Sequence, residues 1–299
     1  MKKFGFGAIT ASVIAFVAGF HSGDSKAEWD SDKLYITSSG SGDPVLIIPG
    51  LASSPDAFWE AFNNAEIEGH TSYWITLGGF GGRPSPRSPE PFTAPAASEL
   101  ARFIREQELT DVALIGHSMG GVVSMLVAAE ITGRIDRILI VDSVPFLAGL
   151  IQPDADLEQI TDGRAQILER YTSMTDEQFN MALRQGLAIQ ATSEKAQSIV
   201  WDDIERSDRR AIAFAAAEIF TTDYRSVLPD IDAKVTVLVP HNKHSPGSES
   251  QLLGRYKELY SGLESVEFKV IKDSRHFIML DQPKLFSQAV EEFLGDANE

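Results

Sequence analysis

Hydrophobic and polar positions along this chain follow two rhythms. One is a set of short, β-branched apolar runs: Val45–Pro49, Tyr73–Leu77, Val112–Gly116, Arg137–Val141, Val235–Val239 and Val266–Ile271, with Leu34–Thr37 as a candidate edge strand. Runs this continuous mark strands buried on both faces, as in a mostly parallel sheet covered by helices. The other rhythm has the helical period and fills the spaces between them, at Asp56–Ala65, Ala96–Glu108, Gly121–Ile131 and Pro283–Leu294. Alternation of the two predicts an α/β fold with a doubly wound, mostly parallel sheet.

One interval breaks the alternation. Between Phe146 and Pro229 no strand pattern occurs, and Leu157–Tyr171, Asp176–Gln190 and Asp208–Phe220 carry helical periodicity. An all-helical insertion between two strands predicts a cap over one end of the sheet. The expected organisation is a sheet core at 28–145 and 230–299, with a helical cap insertion at 146–229.

The first 27 residues belong to neither part. Lys2 and Lys3 precede an apolar run from Phe4 to Phe20, and Ser25 and Ala27 occupy the −3 and −1 positions of a cleavage site. That is the layout of a secretory signal peptide at 1–27, and it points to a secreted protein of a bacterial periplasm. An uncleaved membrane anchor is the alternative; after cleavage no stable membrane insertion is expected, since no later stretch is apolar enough to span a bilayer. Cleavage removes Lys2, Lys3, Lys26 and Asp24, taking the net charge from −17 to −19. A surface that acidic disfavours nucleic acid and anionic lipid. The chain has no cysteine, which excludes disulfides and thiolate chemistry.

Chemistry first becomes legible at Leu114–Gly121, "LIGHSMGG", which contains Gly-x-Ser-x-Gly as Gly116, Ser118 and Gly120. The motif follows an apolar strand and opens a small-residue helix. So sharp a strand-to-helix turn strains the serine backbone, and only small residues two positions to either side escape collision. It leaves the serine hydroxyl exposed at the tip of the sheet, beside a helix N-terminus that favours developing negative charge.

In these residues the chain resembles the α/β-hydrolase superfamily, from Asp43 to the C-terminus, with the helical insertion where that family carries its cap. The resemblance implies acyl transfer: attack by Ser118, a tetrahedral oxyanion, an acyl-enzyme, then hydrolysis by water. No metal or cofactor is implied.

Of the six histidines, His276 follows the last strand and precedes the terminal helix, so its loop reaches the same sheet edge as Ser118. His276, Phe277, Gln282 and Pro283 match the family's "GHF…QP" signature, with Arg275 in place of the usual glycine. His276 is therefore the expected general base. His117, next to the nucleophile, should turn away from the serine because neighbouring strand residues face opposite sides. His241 and His244 could suggest a metal pair, but no third ligand stands at useful spacing. For the oxyanion hole, the family's His-Gly is replaced by Pro49-Gly50. The donors are backbone N–H groups, and by position they are Leu51 and Met119.

The acid is the open point. Most of the superfamily places it after the next-to-last strand, yet "PHNKHSPGSES" carries no aspartate, and its first carboxylate is Glu249. The family's second arrangement places it after the strand that follows the nucleophile helix, and there stands Asp142. Asp142 is the expected triad acid, with Glu249 or a cap residue such as Asp223 as alternatives.

The expectation is a serine hydrolase, carboxylesterase-like, acting on a small-molecule ester or lactone. Amidase or aminopeptidase-type cleavage, thioester hydrolysis and cofactor-free perhydrolysis remain alternatives on the same triad. A non-enzymatic binding module fits the intact Ser/His/acid set less well. The glycine-rich segment Gly78–Pro86 lacks the following helix that a dinucleotide site requires, and is expected to be a flexible wall of the site mouth.

Overall fold

The apolar runs form the middle of one eight-stranded sheet with the order β1-β2-β4-β3-β5-β6-β7-β8. A computed structural model describes residues 26–62, 67–88, 90–153 and 156–295. The apolar and basic stretch on which the signal-peptide expectation rests, residues 1–25, lies outside the described residues.

The strands are β1 (Lys26–Asp30), β2 (Leu34–Gly40), β3 (Asp43–Ile48), β4 (His70–Leu77), β5 (Val112–His117), β6 (Ile135–Val141), β7 (Lys234–His241) and β8 (Val266–Lys272). β2 runs antiparallel to β1 and β4, and all pairings from β4 to β8 are parallel. Leu34–Thr37 was expected at an edge; it lies one strand in, because Lys26–Asp30 adds a further strand outside it. The result is the expected doubly wound, mostly parallel α/β sheet.

Side chains alternate between two cores. Leu46, Ile48, Leu114, Ile138 and Ile140 face one, and Val45, Ile47, Ala113, Ile115, Leu139 and Val141 face the other. All but Ala113 are fully shielded from solvent. This is why the runs read as continuously apolar rather than alternating. Helices α1 (Asp56–Ala61), α2 (Thr93–Glu106) and α3 (Met119–Glu130) fall between the early strands. α2 and α3 pack on the first core; α1 packs on the second with α10 (Ile278–Asp281) and α11 (Pro283–Gly295).

Between β6 and β7 the described residues contain no strand. They form α4 (Leu147–Ile151), α5 (Leu157–Ser173), α6 (Asp176–Gln190), α7 (Glu194–Arg206) and α8 (Arg209–Thr221), then a 3-10 turn at Arg225–Asp230. Asp156, Thr175, Ser193 and Asp208 each accept a backbone N–H at the start of the helix that follows, which satisfies donors the helix itself leaves unpaired. α7 was not anticipated, and neither was α9 (Glu249–Leu259), which follows β7.

Several contacts bind this helical segment to the rest of the fold, two of them near α2 and the loop after β4. Glu218 of α8 is buried and accepts the backbone N–H groups of Phe92 and Thr93 at 2.6 and 2.9 Å, and Tyr224 Oη at 3.1 Å. A carboxylate at the N-terminus of α2 meets the positive end of its dipole. The glycine-rich loop is the other contact, and it is not a free wall. Gly81 N–H donates to Ser207 Oγ at 3.0 Å, Gly82 N–H to the Arg206 carbonyl at 3.0 Å, and Asp208 N–H to the Gly79 carbonyl at 2.7 Å. The loop holds the α7–α8 turn.

Candidate active site

Ser118 stands between β5 and α3 with φ 53° and ψ −122°, a conformation that only a tightly constrained turn imposes on a non-glycine residue. The flanking glycines explain how it is tolerated. A Cβ at Gly120 would lie 2.1 Å from the Ile48 carbonyl oxygen, and one at Gly116 would lie 2.5 Å from the Gly120 carbonyl oxygen. Although Ser118 is the N-cap residue of α3, its hydroxyl caps nothing. An ordinary N-cap serine folds its Oγ onto the helix N–H groups. Here the backbone turns it away and leaves it uncommitted.

The parallel register sets Asp142 next to it. His117 pairs with Val141, so Ser118 and Asp142 are the next residues on adjacent strands. Ser118 N–H donates to the Val141 carbonyl and Asp142 N–H to the Leu238 carbonyl, both at 3.0 Å. Asp142 also has a positive φ, 42°.

His276 enters from the loop after β8, and its Nδ1 lies 2.6 Å from Asp142 Oδ2. That occupies one ring nitrogen and leaves Nε2 for proton transfer. The rival carboxylates are engaged elsewhere: Glu249 pairs with Lys272 at 3.5 Å, and Asp223 with Arg225 at 2.6 Å. Arg225 holds the Asp223 carboxyl below its ordinary range.

His117 is buried against the loop that carries His276. Its Nε2 is 3.0 Å from the His276 carbonyl oxygen, and the two rings lie 4.5 Å apart. Since a carbonyl only accepts, Nε2 carries the proton. Burial, then the nearby His276, push His117 well below the usual histidine range, so it stays neutral. Arg275, which departs from the family's glycine, donates to the Ala188 and Ala191 carbonyls at 2.5 and 3.1 Å at the end of α6. Its own N–H donates to Asp281 Oδ2 at 2.8 Å. The base loop is thereby fastened to the helical segment.

Gly50 to Ser53 form a tight turn, closed by a Ser53 N–H bond to the Gly50 carbonyl at 3.3 Å. Among the described residues, neither the Leu51 nor the Met119 N–H has a main-chain acceptor. A Cβ at Gly50 would lie 3.0 Å from the Ser118 Cβ, so this turn runs close to the serine.

The turn is braced from α7. Asp203 is 1% exposed; its Oδ2 accepts Ser54 N–H at 2.7 Å and its Oδ1 accepts Arg206 at 2.5 Å. Burial, and next the charge of Asp56, raise its pKa to about 6. Because the folded-state value lies above the ordinary carboxylate value, the folded chain binds the proton more tightly than the unfolded one. The stabilisation from protonation is complete below the ordinary value and is lost as pH rises through about 6. Raising pH from 5 to 7.5 should therefore cost wild type about 1–2 kcal/mol relative to Asp203→Asn, which keeps an acceptor for Ser54. Urea unfolding of both proteins across that range checks this, and parallel pH dependences would contradict it.

Sequence reasoning missed the contact of His117 with the His276 carbonyl, the role of Asp203 and the tyrosines of α9. Among the described residues no cluster of three or more His, Asp or Glu side chains forms a metal-ion site, and no helix is long and apolar enough to cross a membrane. A cavity of about 550 Å³ lies between α4, α5 and α8, lined by Ile151, Ile160, Ile167 and Phe220 with Gln166 and Arg170. Neither Ser118 nor His276 borders it.

The model of the alpha/beta hydrolase family matches residues 45–289. Among solved structures, the chain is similar to an esterase from Exiguobacterium antarcticum (18% identity, TM-score 0.71, covering 88% of this chain and 95% of that one). It is similar to a bromoperoxidase from Bacillus anthracis (22% identity, TM-score 0.67, 88% and 95%). The enol-lactonase from Burkholderia xenovorans is a third (16% identity, TM-score 0.67, 88% and 97%). At these identities the likeness is one of fold.

Proposed function

The chain belongs to the alpha/beta hydrolase family, and from that premise we propose that it is a serine hydrolase cleaving a carboxylic ester or lactone through an acyl-enzyme. The observation that carries this reading is the Asp142–His276 hydrogen bond of 2.6 Å beside a strained serine whose hydroxyl caps nothing.

The chemistry follows from those groups. His276 Nε2 accepts the Ser118 proton as Oγ attacks the carbonyl carbon. The carbonyl oxygen becomes an oxyanion held by the Leu51 and Met119 N–H groups. The intermediate collapses, His276 returns the proton to the departing alkoxide, and Ser118 is left acylated. Water then attacks the acyl carbon with its proton passing to His276, the second tetrahedral intermediate collapses as His276 returns that proton to Ser118 Oγ, and the carboxylic acid leaves. Asp142 keeps Nδ1 protonated and stabilises the imidazolium formed in each half-reaction.

In this reading residues 146–229 are a cap that shapes the substrate pocket, and residues 1–27 are removed on export to the periplasm. A mature chain beginning at Glu28 retains the β1 pairs of Trp29 with Ile36 and Asp30 with Tyr35; N-terminal sequencing of the exported protein should begin at Glu28, and a chain that begins at Met1 would contradict export by cleavage.

Substrate class is tested with p-nitrophenyl esters of rising chain length, a series of lactones, and an aminoacyl anilide. Turnover of esters or lactones with kcat/KM at least about 10²-fold above the anilide is expected, since amide cleavage also requires protonation of a poor leaving group. Preference for the anilide would overturn the ester assignment in favour of an amidase.

A further inference from the structure

α9 presents two phenols to the end of β6. Tyr256 and Tyr260 are four residues apart, on one helix face, and are 2% and 0% exposed. Tyr256 Oη donates to Asp142 Oδ1 at 2.5 Å. Tyr260 Oη donates to the Ser143 carbonyl oxygen at 2.9 Å. Burial, reinforced by the Asp142 charge, pushes both phenols well above the usual tyrosine range, so they remain protonated donors.

Both hydroxyls land where Asp142 needs help. A carboxylate at the end of β6 reaches His276 across the intervening β7, and a lone carboxylate rotates freely about its terminal bond. With Oδ1 held by Tyr256, Oδ2 has one direction left, and that direction is His276 Nδ1. The positive φ of Asp142 persists only if the surrounding structure over-determines it. Its own N–H is tied to Leu238 and the following carbonyl to Tyr260.

We propose that Tyr256 and Tyr260 are positioning residues for the acid of the triad, Tyr256 fixing the plane of the Asp142 carboxylate and Tyr260 holding the strained turn that carries it. This rests on the reading of Asp142 as the residue that orients His276. The Tyr256 hydroxyl also draws negative charge from the carboxylate. Without it the carboxylate favours the imidazolium more strongly, the imidazole surrenders its neutral form at higher pH, and the acidic limb of activity moves upward. The ionisable groups around Asp142 are His276, Tyr256 and Tyr260, with His117 behind His276.

The test is Tyr256→Phe, which keeps the ring. It should lower kcat for a p-nitrophenyl ester about 10-fold with KM within about two-fold, and move the acidic limb of the kcat profile upward by roughly half a unit. In an Asp142→Asn background the same change should alter kcat less than about two-fold, because the carboxylate it acts through is gone. A purely structural role would shift neither the limb nor its dependence on Asp142. If Tyr256→Phe does not fold, Tyr260→Phe takes its place, with a kcat loss of about three-fold at unchanged KM. If Asp142→Asn is severely impaired while folded Tyr256→Phe and Tyr260→Phe keep wild-type kcat and pH profile, this inference alone is wrong. If Asp142→Asn itself behaves as wild type, the triad reading fails and takes the inference with it.

Discussion

Ser118→Ala is expected to lower kcat/KM toward a p-nitrophenyl ester by about 10⁶-fold while leaving the fold intact. The size of the loss follows from the role assigned to the hydroxyl: without it there is no acyl-enzyme, and only the binding and oxyanion contributions over water remain. The intact fold follows from the geometry. The Ser118 side chain makes no cap to α3, so its removal deletes no structural hydrogen bond. Alanine keeps the Cβ and meets the same strained φ of 53° that serine already tolerates. A change in unfolding free energy of about 0.5 kcal/mol or less is expected. Substantial ester hydrolysis by a folded Ser118→Ala protein would place the chemistry elsewhere.

The second large effect separates the acids. Asp142→Asn should lower kcat by about 10⁴-fold, since an amide presents a donor toward Nδ1 and favours the imidazole tautomer that cannot act as base. It also leaves Tyr256 facing a weaker acceptor. Glu249→Gln should stay within about two-fold of wild type, because Glu249 sits at the start of α9 in an exposed pair with Lys272, and such pairs contribute little. Steady-state kinetics on both variants checks the pair of expectations. A wild-type rate in folded Asp142→Asn would remove Asp142 from the mechanism.

The parts of this fold that could be read from the chain are those governed by neighbours in sequence. Buried strands such as Val112–His117 show a continuous apolar run because both faces are covered. The turn at Ser118 is legible because its strain demands Gly116 and Gly120 two positions away. The turn proposed to hold the oxyanion is chosen by its place after β3, and Asp142 is proposed as the acid because no aspartate follows β7 before Glu249.

What escaped depends on distant partners. His117 meets His276 across 159 residues, Asp203 meets Ser54 across 149, and Tyr256 meets Asp142 across 114. No local pattern distinguishes these side chains from ordinary buried ones. Two misses did have a local signal. α7 is preceded by Ser193 as N-cap and buries Ala196 and Val200 at helical spacing. α9 opens on a capping box of Ser248 and Gln251 ahead of Leu252, Tyr256 and Leu259. The glycine-rich loop was misjudged for the opposite reason. Its composition permits flexibility, but its backbone groups are spent on the α7–α8 turn.

The bracing around the base loop gives Arg275 a reason to differ from glycine. Its guanidinium satisfies carbonyls at the end of α6, and its N–H meets Asp281, which also accepts Thr192 N–H at 2.8 Å. The helical segment thus touches the loop of His276 through α6 and the turn at Gly50–Ser54 through α7.

The most direct test of the central claim is covalent: incubation with a fluorophosphonate probe, followed by mass spectrometry of the intact protein and its peptides. A single adduct is expected, carried on Ser118, absent from Ser118→Ala and formed far more slowly in a His276→Ala protein. An adduct on another residue, or no adduct on a protein that still hydrolyses esters, would contradict it.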